Sequence, residues 1–373
     1  MKYQVIIVGG GLAGLVSAID LSQQNVKVLL IEKYKYPKHK VCGEYISNEV
    51  LPYLFKLGYN PFDFGAKNIN QLTFSTVSNA SVSTPLPLGG FGISRYSIDA
   101  TLAELAISFG AEIIHDTVTD IHFENEKFII TTITNNNYRS DVTIGAYGKR
   151  SNIDKKLSRS FIKKSSPYLS VKAHYKGSFP DNKVSLHTFD GGYCGLSKVE
   201  TDHINVCYIT DYNSFKKYKN IEDFQKQVVS QNKQLAKVLE SLEMVFEKPL
   251  TISQVSFSSK KLVENHILMC GDSAGMIHPL AGNGMSMAIR SGQMASNLIG
   301  EFISGKIASR QQLEEKYMHT WRGEFQSRLN AGHIIAKLFK NNFLSNIIVS
   351  ILKLCPRLLS YIIRRTHGKP MTV

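Results

Sequence analysis

Val5-Ile6-Ile7-Val8-Gly9-Gly10-Gly11-Leu12-Ala13-Gly14, read onward as far as Glu32, decides the fold of this chain. An apolar run enters a glycine turn, an Ala/Leu-containing segment comes next, and a second apolar run at 26–31 closes on the acid. The order is strand, turn, helix, strand, carboxylate. Gly9, Gly11 and Gly14 form G-x-G-x-x-G in its full βαβ setting, with Glu32 placed 23 residues after the first glycine. Gly9 permits the tight turn, Gly11 lets backbone approach a pyrophosphate, and Gly14 lets the helix lie close on the strand. Leu12 and Ala13 open that helix, whose free N–H groups and positive end favour an anion. Glu32 would accept hydrogen bonds from a ribose and repel a 2′-phosphate. The stretch predicts a bound adenine dinucleotide that lacks this phosphate.

A length of 373 residues allows two domains or one elaborated domain around a large core. The apolar share of 43% and charged share of 20% are those of an ordinary globular chain, which excludes a disordered or fibrous class. A net charge of +14 raises nucleic acid or an anionic membrane as partners. No arginine-rich arm, zinc-finger spacing or RNP-like aromatic motif supports nucleic acid, and the plain reading is a basic enzyme with scattered lysines. Five cysteines with no C-x-x-C pair argue against a disulfide or zinc framework and fit a cytoplasmic location. Residues 5–21 follow Lys2 as a signal-peptide core would, but the glycine turn and second strand account for them better. No run of 18 apolar residues occurs, so no transmembrane helix is expected.

After Glu32 a cationic loop, residues 33–41, lies beside the expected dinucleotide, where Lys33, Lys38 or Lys40 could meet phosphate. Cys42-Gly43-Glu44 is an unusual triplet for a plain loop. Cys42 there is either a small buried hydrophobe or a thiol beside reacting groups. Residues 47–57 read as helix, 70–76 and 80–86 as strands. Arg95 opens a helix stopped by Gly110, with Asp99 in its first turn. Residues 111–146 read as a β-meander, and strands resume at 168–176, 183–189, 192–199 and 203–210. Gly191-Gly192-Tyr193-Cys194-Gly195 marks a bend approached by another group. A helix at 221–242 and a strand at 249–258 come after it. A buried strand, His266 to Cys270, then runs into Gly271-Asp272, and Pro279-x-x-Gly282-Asn283-Gly284-Met285 leads into another helix. Residues 308–340 are amphipathic. Residues 343–365 are apolar with Lys353, Arg357, Arg364 and Arg365 interspersed, broken at Pro356. That last segment suits an interfacial helix on an anionic membrane, a lid over an apolar pocket, or a helix pair covering the protein's own core.

Three separated segments now stand in order: the fingerprint with Glu32, the Arg95-x-x-x-Asp99 helix start, and Gly271-Asp272 with its glycine turn. This set resembles the FAD-dependent hydroxylase superfamily, the group A flavoprotein monooxygenases, and within it the geranylgeranyl-reductase-like branch. The resemblance covers roughly residues 1–300. It implies an α/β fold: a Rossmann-like FAD-binding domain (1–68, 92–165, 260–305) interleaved with a β-sheet substrate domain (69–91, 166–259), then a C-terminal helical region (306–373). By motif, Gly9, Gly11, Gly14 and Glu32 would hold the ADP half of FAD, and Leu12, Ala13, Lys33 and Lys40 are expected beside it. Arg95 would lie near the ribityl–phosphate region, and Asp272 would bind a ribityl hydroxyl or the pyrophosphate edge rather than simply cap a helix. The turn from Pro279 through Gly282, Asn283, Gly284 and Met285 would face the flavin's N1/O2 edge. There a helix N-terminus would stabilise the negative charge of the reduced ring. Cys42, Pro279, Gly282 and Gly284 are the residues this places at the chemistry. His278 is expected outside it.

Two departures from the family pattern bear on mechanism. Its G-A-D-G-x-x-S segment, whose aspartate is linked to FAD and NAD(P)H, here reads Gly145-Ala146-Tyr147-Gly148-Lys149-Arg150-Ser151. NAD(P)H is expected as electron donor, although Tyr147 replaces that aspartate. The Y-x-W-x-F-P motif of prenyl reductases is missing, with Gly191 to Leu196 in its place, so the substrate wall differs. Flavin-dependent halogenases are similar at residues 37–44, but a single tryptophan, Trp321, rules out their W-x-W-x-I-P motif. The expected activity is monooxygenation of a lipophilic aromatic or polyketide-like small molecule. The alternative is flavin-dependent reduction of a C=C bond in an isoprenoid or other lipid, with Cys42 as proton donor or as a member of a proton relay. A non-catalytic FAD-fold escort for a lipidated partner is a third reading. A plain NAD-dependent dehydrogenase would leave Gly271-Asp272 without a purpose.

Overall fold

In the computed structural model the described residues are all except Met1, Lys219, Pro279, Ala281, Lys340, Asn341 and Val373. Strand Lys2–Val8 pairs in parallel with Val28–Glu32 on one side and with Asn137–Gly145 on the other, so that Val8 stands beside both Ile31 and Gly145. Ile267–Met269 continues this parallel set beyond Asn137–Gly145, and Glu112–His115 extends it beyond Val28–Glu32. Both faces are covered at the centre, so residues 5–8, 28–31 and 267–269 are apolar and buried, while Glu112–His115 at the edge and the start of Asn137–Gly145 carry polar residues. The chain leaves Lys2–Val8 towards one edge and returns on its other side. That reversal is the topological switch point, where a crevice opens beyond the carboxyl ends of the strands.

The expected meander over 111–146 is only partly one. Glu112–His115 joins the parallel set, and Val118–Glu124, Lys127–Thr132 and Asn137–Gly145 alone run antiparallel. Helix Leu12–Gln23 lies under the sheet against helix Gly284–Ile303. A Cβ on Gly292 would come within 2.6 Å of Val16 Cγ2 and 2.7 Å of the Ala13 carbonyl oxygen, so glycine sets that helix–helix distance.

A second, mostly antiparallel sheet carries Tyr168–Lys176, Ile204–Asp211, Gly192–Lys198, Lys183–Phe189, Lys67–Ser75 and Ser81–Gly92 in that spatial order. The Gly191 bend has φ +80° and serves as the hairpin turn. The group approaching Gly192 is the Ile209 carbonyl of the neighbouring strand, within 2.1 Å of a Cβ there. The helix expected over 221–242 is broken into Ile221–Gln227 and Lys233–Leu239, since Asn232 caps the second piece by accepting from Gln234 N and Leu235 N. The strand expected over 249–258 is confined to Leu250–Ser253.

Helices Arg310–Phe339, Asn342–Leu354 and Pro356–Thr366 close the molecule, the last two against strand Ser81–Gly92. Val349, Leu352, Leu359 and Ile363 are buried with Leu72, Phe74, Val82 and Leu86 of the second sheet. Among the described residues no single helix is long and apolar enough to cross a membrane.

Candidate functional site

Parallel pairing in register carries Gly9, Glu32, Ala146 and Gly271 to one edge of the first sheet, because each follows or ends a strand there. Gly9 turns with φ +107°, and a Cβ on it would lie 2.4 Å from the Ala146 carbonyl oxygen. A Cβ on Gly14 would lie 2.0 Å from the Gly9 carbonyl oxygen, so this glycine sets helix against strand and does not line the crevice. A Cβ on Gly11 would meet only Arg95 Nη2, at 3.6 Å. The space in front of Gly11 is thus left open by the protein.

Both helices that begin at the crevice start bare. Leu12–Gln23 follows Gly11 and Gly284–Ile303 follows Asn283, in each case with no side-chain cap and no acid in the first turn. Their first N–H groups have no intrahelical acceptor and need one from elsewhere. Two uncapped positive ends, a glycine cradle and a carboxylate at the second strand fit an adenine dinucleotide, and the FAD implied by the resemblance in particular. Glu32 already accepts from Gly10 N at 2.7 Å and Tyr34 N at 3.1 Å, which fixes its orientation and leaves further lone pairs.

A cavity of about 1090 Å³ joins these groups. Gly9, Gly11, Leu12, Ala13, Glu32, Lys33, Lys40, Cys42, Arg95, Gly271, Asp272, Gly282, Asn283, Gly284 and Met285 all line it. Pro279 lies outside the described residues. His278, expected outside the chemistry, packs among Tyr168, Tyr193 and Phe257 and is absent from the wall. Burial brings its pKa down to about 4.

Arg95 Nε and Nη2 both donate to the Asp99 carboxylate at 2.7 Å, and Lys40 Nζ stands 2.8 Å from it. Burial opposes ionisation of Asp99, but Arg95 and Lys40 outweigh it and hold the carboxyl below its usual range. Asp99 does not serve the helix start as expected. Ser94 caps that helix, its Oγ accepting from Ser97 N at 3.1 Å, and Asp99 lies one turn further in. Two cations on one carboxylate leave the cluster with a net positive charge beside Gly11.

The Lys40–Glu44 loop is held from beneath by the second sheet. Lys172 Nζ donates to Glu44 Oε1 at 2.5 Å and to the Lys40 carbonyl at 3.3 Å. His174 Nε2 lies 2.7 Å from Glu44 Oε2, Arg95 N donates to Glu44 Oε1 at 2.8 Å, and Asn205 Nδ2 donates to the Cys42 carbonyl at 3.2 Å. Glu44 and Lys172 are fully buried. Burial alone would raise the Glu44 pKa, but the Lys172 charge and the His174 contact win and lower it. The Cys42 thiol faces the cavity 3.4 Å from Met285 Sδ, which brings the loop to the start of the Gly284 helix. Tyr147 also lines the cavity, with its hydroxyl on Met269 Sδ at 3.2 Å, and burial raises its pKa.

Sequence reasoning missed Lys172, His174 and Asn205. The signal was present: Lys172 and His174 alternate on one face of an otherwise apolar strand, opposite Cys207 and Asn205. It also missed Lys260, whose Nζ donates to the Asp272 and Lys149 carbonyls at 2.6 and 2.8 Å and whose pKa burial lowers to about 8.

At its far end the cavity wall is built by Leu72, Val82, Leu186, Leu352, Leu359 and Ile363. The C-terminal helices therefore form part of the pocket.

The chain is 25% identical over 354 residues to a digeranylgeranylglycerophospholipid reductase of Methanosarcina acetivorans, covering 91% of this chain and 85% of that one. It is 22% identical over 324 residues to a 1H-pyrrole-2-carbonyl-[peptidyl-carrier protein] brominase of Pseudoalteromonas luteoviolacea, covering 82% and 79%. A solved flavin-dependent brominase superposes with a TM-score of 0.81 at 18% identity, covering 98% of this chain and 93% of that chain. A family model described as an FAD binding domain matches residues 2–322, and the chain belongs to that family of flavin-dependent enzymes.

Proposed function

We propose that this FAD-dependent oxidoreductase reduces a C=C bond in a lipophilic, isoprenoid-like substrate, the reading that the sequence ranks second to oxygen insertion. The observation that carries it is the apolar far wall, where Phe74 and Phe339 stand among the aliphatic side chains, with the Cys42 thiol on the same cavity as the nucleotide cradle. An aromatic phenol asks for placed polar groups that orient it, whereas an aliphatic chain asks for a dry, shaped channel. Similarity to the archaeal lipid reductase supports the same choice.

FAD held in this cradle would supply, in its reduced form, the hydride for one alkene carbon. The protein's share is binding, charge and a proton. Gly9, Gly11 and the bare start of the Leu12 helix would hold the pyrophosphate, with Arg95 alongside, and Glu32 would hold the ribose. The N–H groups at the start of the Gly284 helix favour negative charge on whatever lies before them. Cys42 delivers the proton to the second alkene carbon from a loop fixed by Lys172 and Asn205. Leu352, Leu359 and Ile363 line the far part of the cavity and would hold the apolar chain of the substrate out of water. NAD(P)H is the proposed source of the electrons.

The test is turnover without oxygen. Chemically reduced enzyme mixed with a polyprenyl lipid in oxygen-free buffer is expected to give product heavier by two hydrogens, read by mass spectrometry. Product formation that strictly needs O2 and adds an oxygen atom would overturn this reading in favour of monooxygenation.

A further inference from the structure

The two C-terminal helices carry a second apolar face that the pocket does not use. Their inner side, Leu352, Leu359 and Ile363, lines the cavity. On the outer side Ile347 is 42% exposed, Ile351 49%, Leu354 87%, Leu358 40% and Tyr361 53%. Lys353, Arg357, Arg364 and Arg365 are exposed among them. After Glu324 the sequence contains no Asp or Glu to its last residue but eight Lys or Arg, so nothing in this segment offsets their charge. Ile334 and Leu338, at the end of the preceding helix, are both exposed and part of the cavity wall. They mark a mouth of the cavity on the helix that packs against this pair.

We propose that the outer face of helices Asn342–Leu354 and Pro356–Thr366 docks on an anionic lipid surface, from which the substrate enters the cavity past Ile334 and Leu338. The docking stands on exposure and charge alone; the entry route rests on the lipophilic substrate proposed above. A helix with apolar residues on one side and Lys/Arg at its flanks lies in the headgroup layer, held by buried apolar area and attraction to anionic lipid. A second copy of the chain offers a poorer partner, because this face would meet its own cations with no acid to pair them. With one face on the bilayer and the other on the pocket, an apolar substrate passes between them without crossing water.

Co-sedimentation of the full-length, FAD-loaded protein tests this, using vesicles of phosphatidylcholine alone or of an equal mixture with phosphatidylglycerol. The protein is expected to bind the mixed vesicles far better, and added salt should weaken that binding. Leu354→Asp and Ile351→Asp should each lower the partition on the order of tenfold. Lys353→Gln or Arg364→Gln should lower it about fivefold, on the mixed vesicles only. None of these four lines the cavity, so flavin absorbance and thermal midpoint should stay as in the parent and certify the fold. Failure of the parent to sediment with either vesicle overturns the docking, and so does a dimer in light scattering that Leu354→Asp dissociates. Sedimentation without alkene reduction would leave the docking standing and sink the functional reading. Reduction of detergent-dispersed lipid without sedimentation does the reverse.

Discussion

Gly11 and Gly14 stand three residues apart and serve different neighbours. A side chain at Gly14 collides with the Gly9 carbonyl of the protein itself, whereas one at Gly11 enters space that only a ligand fills. Gly11→Val is therefore expected to fold with a parent-like circular dichroism spectrum yet to purify colourless. Gly14→Val should fail at the level of the fold. Cys42→Ala removes a thiol that touches Met285 and the cavity but none of the cradle. It should remain yellow and lose on the order of a hundredfold or more in turnover, the usual weight of a placed proton donor. Flavin absorbance and single-turnover rates check all three, and a colourless Cys42→Ala protein would overturn this division between anchor and chemistry.

At the scale of elements, the Cys42 loop is a short irregular segment made rigid by a charged strand. Glu44→Gln leaves the Lys172 ammonium buried without its countercharge, and removing one partner of a buried pair costs about 3 kcal/mol. The thermal midpoint should fall accordingly at pH 7. Because Lys172 and His174 lower the Glu44 pKa, its stabilisation is present above the unfolded value near 4.5 and is lost as pH falls through the folded value. Parent and variant should therefore converge in acid. Pairing Glu44→Gln with Lys172→Met should recover part of the loss, and a double variant as weak as the single would argue against charge as its cause. The same elements explain what the sequence could disclose. Three strands of the parallel sheet were legible because the apolar runs of Lys2–Val8, Val28–Glu32 and Ile267–Met269 lead into glycine or acid, a local signal, whereas Glu112–His115 and the polar start of Asn137–Gly145 carry none. The clamp was not, since residues 40–44 meet 172, 174 and 205 only once two sheets pack. The break near Asn232 was also hidden: it depends on a side-chain cap also bonded to Ser75 Oγ and the Thr188 carbonyl on distant strands. The C-terminal helices were legible as helices, but their choice between pocket and solvent is set by the sheet beneath them.

Across the whole molecule, burial lowers the pKa of four histidines to about 4: His39 lies in the loop before Lys40, against Tyr96, His174 and Phe246, and the other three sit in the second sheet and around the C-terminal helices. His187 lies in the sheet with Nδ1 on Ser75 Oγ, His278 sits among Tyr168, Tyr193 and Phe257, and His367 follows the last helix on the cavity wall. Burial brings each of their pKa values from 6.5 down to about 4. Between those two values the unfolded chain takes up protons that the folded chain refuses, so stability present at pH 7 is lost as pH falls. At pH 5 the loss is about 2 kcal/mol for a single such histidine, from roughly 1.4 kcal/mol per pH unit below 6.5. The first sheet contributes none of these three, and its parallel core should outlast them. Acid is thus expected to loosen the substrate side before the nucleotide side. The thermal midpoint should drop steadily from pH 7 to pH 5, and hydrogen exchange should rise first in residues 183–198 and 342–366. Exchange that rises first in residues 2–32 would mean that burial of these histidines does not govern the acid limb.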